Sequence, residues 1–293
     1  MKLFFIRTAL LLFSAFLPNA AFADEITDNL LLRARQAVNN GDAEEALERY
    51  QTLVKLYPTG EPASEAWWQI ARICEHLEEP QPAFDALQKL ITGFPGHFER
   101  AHAGQMQLVT RMIQGEDRRA RLTAQEKKKK PDETMRDTIS AMLQTIYKNG
   151  PQSDVGARAH HTLALFLERN GELAAAHAMH EDFIEEHPNH ELADDSACQM
   201  AYIRYKEWKT MRGEAPRHRQ TAQDALNWFL SRYPQSERAA LAYTCLKEML
   251  IAETRELESI VRFYESQGKQ DAARIYREQL AKKLEALQPK SAE

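Results

Sequence analysis

The feature that most constrains this chain is a proline that recurs directly after an aromatic residue, a histidine or a glycine. The five such prolines are Pro58, Pro95, Pro151, Pro188 and Pro234, at spacings of 37, 56, 37 and 46 residues. Proline ends a helix because it lacks an amide hydrogen and disfavours a helical residue before it. Spacings of this length indicate repeated helix–turn–helix units, with insertions in the two longer intervals.

The side chains between these prolines repeat as well. Small residues fall where two helices would cross closely, larger apolar residues fill the gaps, and glycine lets the chain turn. In three units the matching positions are Ala34, Gly41, Ala46, Tyr50 and Pro58; Trp67, Ile70, Ala71, Ala83 and Pro95; and Leu163, Ala164, Gly171, Ala176, Phe183 and Pro188. The pattern resembles the tetratricopeptide repeat (TPR), a unit of about 34 residues. We therefore predict an all-α fold, a right-handed superhelical solenoid of TPR-like helix–turn–helix repeats.

The repeats account for most of the chain. We expect about five of them in residues 24–234, with polar insertions near 115–134 and 209–219, and a long helix plus a C-terminal helical repeat or cap in 235–293. The 11 glycines and 12 prolines among 293 residues are fewer than the average usage of about 7% and 5%. This scarcity favours helices over a sheet with many tight turns.

The N-terminus has the pattern of an export signal. Lys2 and Arg7 precede an apolar run at 8–17, and Ala21 and Ala23 form a small-residue cleavage site. We expect residues 1–23 to be a signal peptide cleaved before Asp24, with an uncleaved anchor as the alternative. No cysteine follows the apolar run, so no lipid anchor is expected. The predicted location is the periplasm, with peripheral contact to the outer membrane as a further option.

Charge and cysteine content narrow the possible partners. The formal net charge of −5 provides no general attraction to nucleic acid, so nucleic acid is not expected as a partner. Cys74, Cys198 and Cys245 lie far apart within apolar helical patterns. We predict that they are small buried core residues, the alternative being one disulfide with an odd thiol.

Both ends of the chain resemble a known family. The segments concerned are 57–66, 219–221, 233–236, 256–258, 262–264 and 268–269. Their order is similar to that in the BamD (ComL/YfiO) family of outer-membrane assembly proteins, over residues 24–95 and 190–287. The chain lacks that family's lipid-bearing cysteine and has about two extra repeats at 97–188. The resemblance implies a scaffold that contacts a β-barrel insertase and outer-membrane protein clients, docking through Glu258, Arg262, Tyr264 and Lys269.

No motif points to catalysis or to a cofactor. The sequence contains no G-x-G-x-x-G, Walker or G-x-S-x-G pattern, and the His180-Glu181 pair lacks the second histidine of a zinc-protease motif. We therefore predict no enzyme, no cofactor and no metal site. Six histidines lie between His160 and His190. We expect them to be packing and turn residues, with a pH-sensitive patch as the alternative.

Two surfaces are candidates for contacts with partners. Extrapolating the repeat pattern, we expect the first helices of the units to form a concave face, with Trp67 in the core beside an exposed Trp68. The residues predicted on that face are Arg35, Trp68, Arg72, His161, Tyr202 and Tyr205; ordinary stacking between repeats is the alternative. The basic segment 118–130 is either a solvated insertion or a weak contact with anionic lipid. The leading hypothesis is a BamD-like periplasmic scaffold, and the alternative is a periplasmic TPR adaptor for cell-wall or secretion machinery.

Overall fold

A computed structural model of the chain describes residues 20–126, 133–210 and 215–287. Within these ranges every regular element is a helix, so the all-α fold built from helix pairs is confirmed there. The twelve α-helices are α1 (Ala20–Asn39), α2 (Ala43–Leu56), α3 (Glu61–His76), α4 (Pro80–Gly93), α5 (Phe98–Glu126), α6 (Glu133–Asn149), α7 (Asp154–Arg169), α8 (Leu173–Glu186), α9 (Ala193–Thr210), α10 (Ala215–Arg232), α11 (Ala239–Ser266) and α12 (Gln270–Leu287), with a short 3-10 turn at Pro95–His97. Of the helices described, none is long and apolar enough to cross a membrane.

The turns between paired helices depend on glycine and on polar caps. Gly41 and Gly171 have φ values of +80° and +86°, a left-handed conformation that other residues adopt only with strain. The Asp42 carboxylate then accepts a hydrogen bond of 2.9 Å from the Glu45 amide at the start of α2. Such a cap satisfies one of the amides that a helix N-terminus leaves unpaired. Glycine and cap together explain why the chain reverses within three residues here.

The described residues divide into two compact units, α1–α5 and α6–α12. In the first unit the fully buried alanines Ala34, Ala46, Ala63 and Ala66 allow close helix approach. Ion pairs connect its helices at the surface. Arg111 Nη2 lies 2.5 Å from Glu75 Oε2, so that α5 is joined to α3.

In the second unit a buried cluster lies where α9, α10 and α11 meet. Phe229, Leu226 and Met249 are almost completely buried there, together with Cys198 and Cys245. Cys74 is buried in the first unit, and all three cysteines are free thiols. The prediction of buried core cysteines is therefore confirmed, and burial raises the pKa of Cys198 to about 11.

The polar stretch after residue 115 begins as a helix rather than as an irregular insertion. The helix α5 continues to Glu126, because nothing between Gly115 and Glu126 is a proline and most of these residues favour helices. Most side chains of the basic segment 118–130 lie outside the described residues, and so do residues 1–19 of the predicted signal peptide. The described part of α1 begins before the expected cleavage site at Asp24.

Candidate functional site

Arg35 and Arg72 lie on neighbouring helices of the first unit but in different surroundings. Arg35 donates two hydrogen bonds to Glu65, at 2.7 Å and 2.5 Å, and this pairing raises the pKa of its guanidinium. The Arg35–Glu65 ion pair therefore joins α1 to α3. Arg72 is exposed and lines a groove of about 290 Å³, which we name the α1–α3 groove. Its lining residues are Val38, Gly41, Ala43, Gln69, Arg72, Ile73 and His76.

The two adjacent tryptophans of α3 differ less than the sequence suggested. Trp67 and Trp68 are both partly buried, so Trp67 is not the core residue expected. The guanidinium carbon of Arg100 lies 3.7 Å from the centre of the Trp68 ring, an arrangement typical of a cation–π interaction. Trp68 is therefore partly covered by α5 rather than presented freely.

Two of the predicted surface residues are buried, and that prediction is wrong for them. His161 packs between α7 and α9, where its Nδ1 lies 2.8 Å from the Ser196 hydroxyl. Tyr205 is only 3% exposed and its hydroxyl donates a hydrogen bond to Glu248 of α11. Burial and Glu248 raise the pKa of Tyr205 to about 12. Tyr202 is partly buried and stacks on Tyr205 with ring centres 5.6 Å apart, so these side chains stabilise helix packing.

The predicted C-terminal docking residues are mostly accessible. Glu258, Arg262 and Lys269 are exposed. Tyr264 instead stacks on Tyr276 of α12, with ring centres 5.5 Å apart and planes only 8° from parallel. Phe263 was not among the predicted docking residues, but it is 58% exposed between Arg262 and Tyr264; an apolar residue between polar neighbours is the sequence signal that could have indicated it.

Four of the six histidines between His160 and His190 form a buried cluster on α7 and at α8, as the packing interpretation expected. His160, His161, His180 and His187 are all buried. Burial lowers the pKa of each, to about 4 for His161 and about 3 for His180. A buried ring loses hydration that the charged form needs more than the neutral form, so all four are expected to be neutral at pH 7.

Within this cluster His160 of α7 lies close to Glu186 and His187 at the end of α8. Glu186 Oε2 lies 3.6 Å from His160 Nδ1 and 3.9 Å from His187 Nε2, and one donor atom from each of the three residues lies within 4.8 Å of the other two. The Tyr147 hydroxyl of α6 donates a hydrogen bond of 2.5 Å to the same carboxylate oxygen. Two imidazoles and a carboxylate are donors that bind transition metals. The sequence did not predict this grouping, because His160 is 26 residues from Glu186.

Comparison with known proteins identifies the repeat type. The family described as tetratricopeptide repeat matches residues 28–60, which contain most of α1 and all of α2. The sequence has no significant match among curated proteins.

Solved structures that the chain matches include TPR proteins. A TPR repeats protein from Bacteroides fragilis is 13% identical, with a TM-score of 0.49 over 76% of this chain and 98% of its own. A thermophilic TPR protein from Thermus thermophilus is 17% identical, with a TM-score of 0.37 over 75% and 98%. Pseudomonas aeruginosa PilF is 17% identical, with a TM-score of 0.31 over 92% and 94%. By its sequence match, the first helical hairpin of this chain is similar to a tetratricopeptide repeat.

Proposed function

We propose that this chain is a non-catalytic scaffold that binds protein partners in the periplasm. The α1–α3 groove carries the proposal, because it combines an exposed apolar residue of the matched TPR with an exposed cation on the following helix, α3. Val38 is 41% exposed, and Arg72 and His76 follow one another by one turn on α3. An apolar surface next to a guanidinium suits a short peptide with an apolar side chain beside a carboxylate.

A second surface on the C-terminal helix pair supports the same function. Phe263 exposes most of its ring on α11, and Arg262 and Glu258 are exposed near it. The stacked Tyr264 and Tyr276 hold α11 against α12 behind this position. Arginine and aromatic residues are enriched among the residues that dominate binding energy at interfaces. We name Glu258, Arg262 and Phe263 the α11 patch.

At the finer level we propose a role in outer-membrane β-barrel assembly, similar to that of BamD. The support is the export signal pattern in residues 1–23 and the resemblance over 24–95 and 190–287. One further contact agrees with it. Arg219 and Glu256, which both lie in resembling segments, form an ion pair of 2.6 Å that joins α10 to α11. In this role the α11 patch docks a periplasmic domain of the insertase.

The second candidate is an adaptor for cell-wall or secretion machinery. The α1–α3 groove favours the adaptor, because binding there requires only an exposed peptide segment on the partner and does not require an insertase. The two candidates therefore differ in which surface contacts the main partner. Both require an exported chain, which is tested by the mass of the mature protein: cleavage at the expected site leaves Asp24 as the first residue.

Site-specific photo-crosslinking in cells separates the two candidates. A photoreactive residue is introduced at position 72 or 263, and at exposed Leu56 of α2 as the matched control. Insertase subunits crosslinked from position 263 are expected for the assembly role, whereas other envelope proteins crosslinked only from position 72 indicate the adaptor. Crosslinks no stronger than those from position 56 at both sites would contradict the scaffold proposal itself.

A further inference from the structure

We propose that His160, Glu186 and His187 bind a divalent transition-metal ion, and that Zn²⁺ is the ion this donor set fits best. The three residues come from two helices of the second unit: His160 from α7, Glu186 from the last position of α8, and His187 directly after it. Two imidazole nitrogens and one carboxylate oxygen form a known three-residue zinc set that leaves a fourth position for water.

Two of the three distances between the donor atoms are close to those that zinc requires, and the third, between the two imidazoles, is within 4.8 Å. With metal–ligand bonds of about 2.0–2.1 Å, the edge of a tetrahedral site is about 3.4 Å. The distances from Glu186 Oε2, 3.6 Å to His160 Nδ1 and 3.9 Å to His187 Nε2, exceed this edge by only a few tenths of an ångström. Glu186 is 41% exposed, so its side chain has room to adjust when a metal enters.

His160 has a polar requirement that the described residues do not satisfy. Its side chain is 2% exposed, and neither ring nitrogen makes a hydrogen bond of good geometry among the described atoms. The Met179 backbone is close enough to act as a weak hydrogen-bond partner of the ring, which opposes the lowering of its pKa, and this leaves the other nitrogen without a partner. His187 Nε2 is also buried and has no hydrogen-bond partner among the described atoms. A buried polar atom without a partner reduces stability. A metal ion would take the lone pairs of both rings.

Two neighbouring histidines, His161 and His190, are engaged elsewhere. The ring nitrogens of His180 also have no hydrogen-bond partner among the described atoms, but its Nε2 lies 4.0 Å from Glu168 Oε2 and not beside Glu186. His161 Nδ1 is paired with the Ser196 hydroxyl at 2.8 Å. His190 accepts a hydrogen bond of 3.1 Å from the Leu192 amide at Nδ1, and its Nε2 lies 3.3 Å from Asp154. The unsatisfied ring nitrogens of His160 and His187 are therefore those next to the Glu186 carboxylate.

Tyr147 provides the outer support that metal-binding carboxylates usually have. Its hydroxyl donates to Glu186 Oε2 at 2.5 Å, which restrains the carboxylate near both imidazoles. Loss of such a partner typically weakens metal binding by about 10–100-fold. Because the donors come from α7 and from the end of α8, a bound ion would also connect these two helices.

The test is a titration of the full chain, without a histidine tag, with Zn²⁺ in the presence of a competing chelator. We expect one Zn²⁺ per chain and a rise in melting temperature with zinc. His187→Gln and Glu186→Gln should each weaken binding by roughly 100-fold or more, since removing a ligand costs more than removing its support. Tyr147→Phe should give the smaller loss, and His177→Gln, on the same helix, is the matched control.

Co²⁺ adds a readout that does not depend on folding stability. Its visible absorption is intense when the ion is tetrahedral, and we expect this band in the wild-type chain and its loss in Glu186→Gln. That variant changes a partly exposed side chain, so circular dichroism should show a folded protein. Absence of stoichiometric Zn²⁺ binding, or binding that survives both Glu186→Gln and His187→Gln unchanged, would overturn the proposal.

Discussion

The buried His180 makes the second unit sensitive to acid. His180 is a residue of α8, and its ring faces the ring of His161 on α7, with ring centres 5.7 Å apart. The Glu168 carboxylate is 4.0 Å from His180 Nε2, but Lys206 of α9 lies 2.7 Å from that carboxylate and balances its charge. Burial, reinforced by the neighbouring histidines His161, His160 and His177, lowers the pKa of His180 from 6.5 to about 3.

The magnitude follows from this difference in pKa. Between pH 6.5 and about pH 3 the unfolded chain binds a proton at His180 that the folded chain does not bind. The free energy of unfolding therefore rises with pH across this window, by up to about 1.4 kcal/mol per pH unit, and is fully recovered above pH 6.5. A fall from pH 6.5 to pH 5 should cost roughly 2 kcal/mol at His180 alone. His161, with a pKa of about 4, acts in the same direction.

The assay is urea unfolding at a series of pH values, with a chelator present, for wild type and His180→Gln. The variant removes the titrating group, so its stability relative to wild type should improve by about 2 kcal/mol as the pH falls from 6.5 to 5. Exposed His76 of α3 provides the matched control, His76→Gln, which removes a surface histidine instead. Parallel stability curves for wild type and His180→Gln would refute the reasoning, whatever their absolute offset.

Three further predictions concern the packing. Phe183→Ala should lower the free energy of unfolding by about 3–5 kcal/mol, because the ring is fully buried. Phe263→Ala on the surface should lower it far less. Equal losses in urea unfolding would contradict the packing described. Gly156→Ala should lower the melting temperature, because a Cβ there would lie 2.0 Å from the Gly150 backbone oxygen. Gly115→Ala, with open space around it, should stabilise α5 by about 0.5–1 kcal/mol. The opposite order would contradict the close approach of Gly156 in α7 to Gly150. The three buried thiols should react with a thiol reagent only as the chain unfolds, so rapid labelling of the folded protein would show that they are accessible.

The repeat pattern predicted the fold because its signals are local. Gly41 and Gly171 mark turns between paired helices, and the prolines follow helix ends such as Leu56 and Glu186. Each of these residues acts through its own backbone conformation, so no knowledge of distant contacts is needed. The continuation of α5 to Glu126 was not foreseen, since a polar composition indicates exposure but does not distinguish a helix from a loop.

The candidate sites were harder to predict because they depend on contacts between helices. Trp67 and Trp68 are adjacent on α3, and both flank the buried face, so hydropathy could not rank their exposure. Tyr205 was placed on the surface from its position in the repeat, whereas α11 covers it through Glu248. To predict that His160 lies close to Glu186, one must know the angle at which α7 packs on α8, and no local sequence pattern contains this angle.

Binding of specific protein partners is the central claim, and quantitative crosslinking of the intact chain in cells tests it most directly. The wild-type chain is compared with a variant that carries Val38→Asp and Arg72→Ala in the α1–α3 groove, and with one that carries Arg262→Ala and Phe263→Ser in the α11 patch. Circular dichroism establishes that each variant is folded. We predict a small set of envelope proteins, identified by mass spectrometry, that at least one variant depletes strongly. An identical set of partners for all three chains, or no partner above background, would contradict the account.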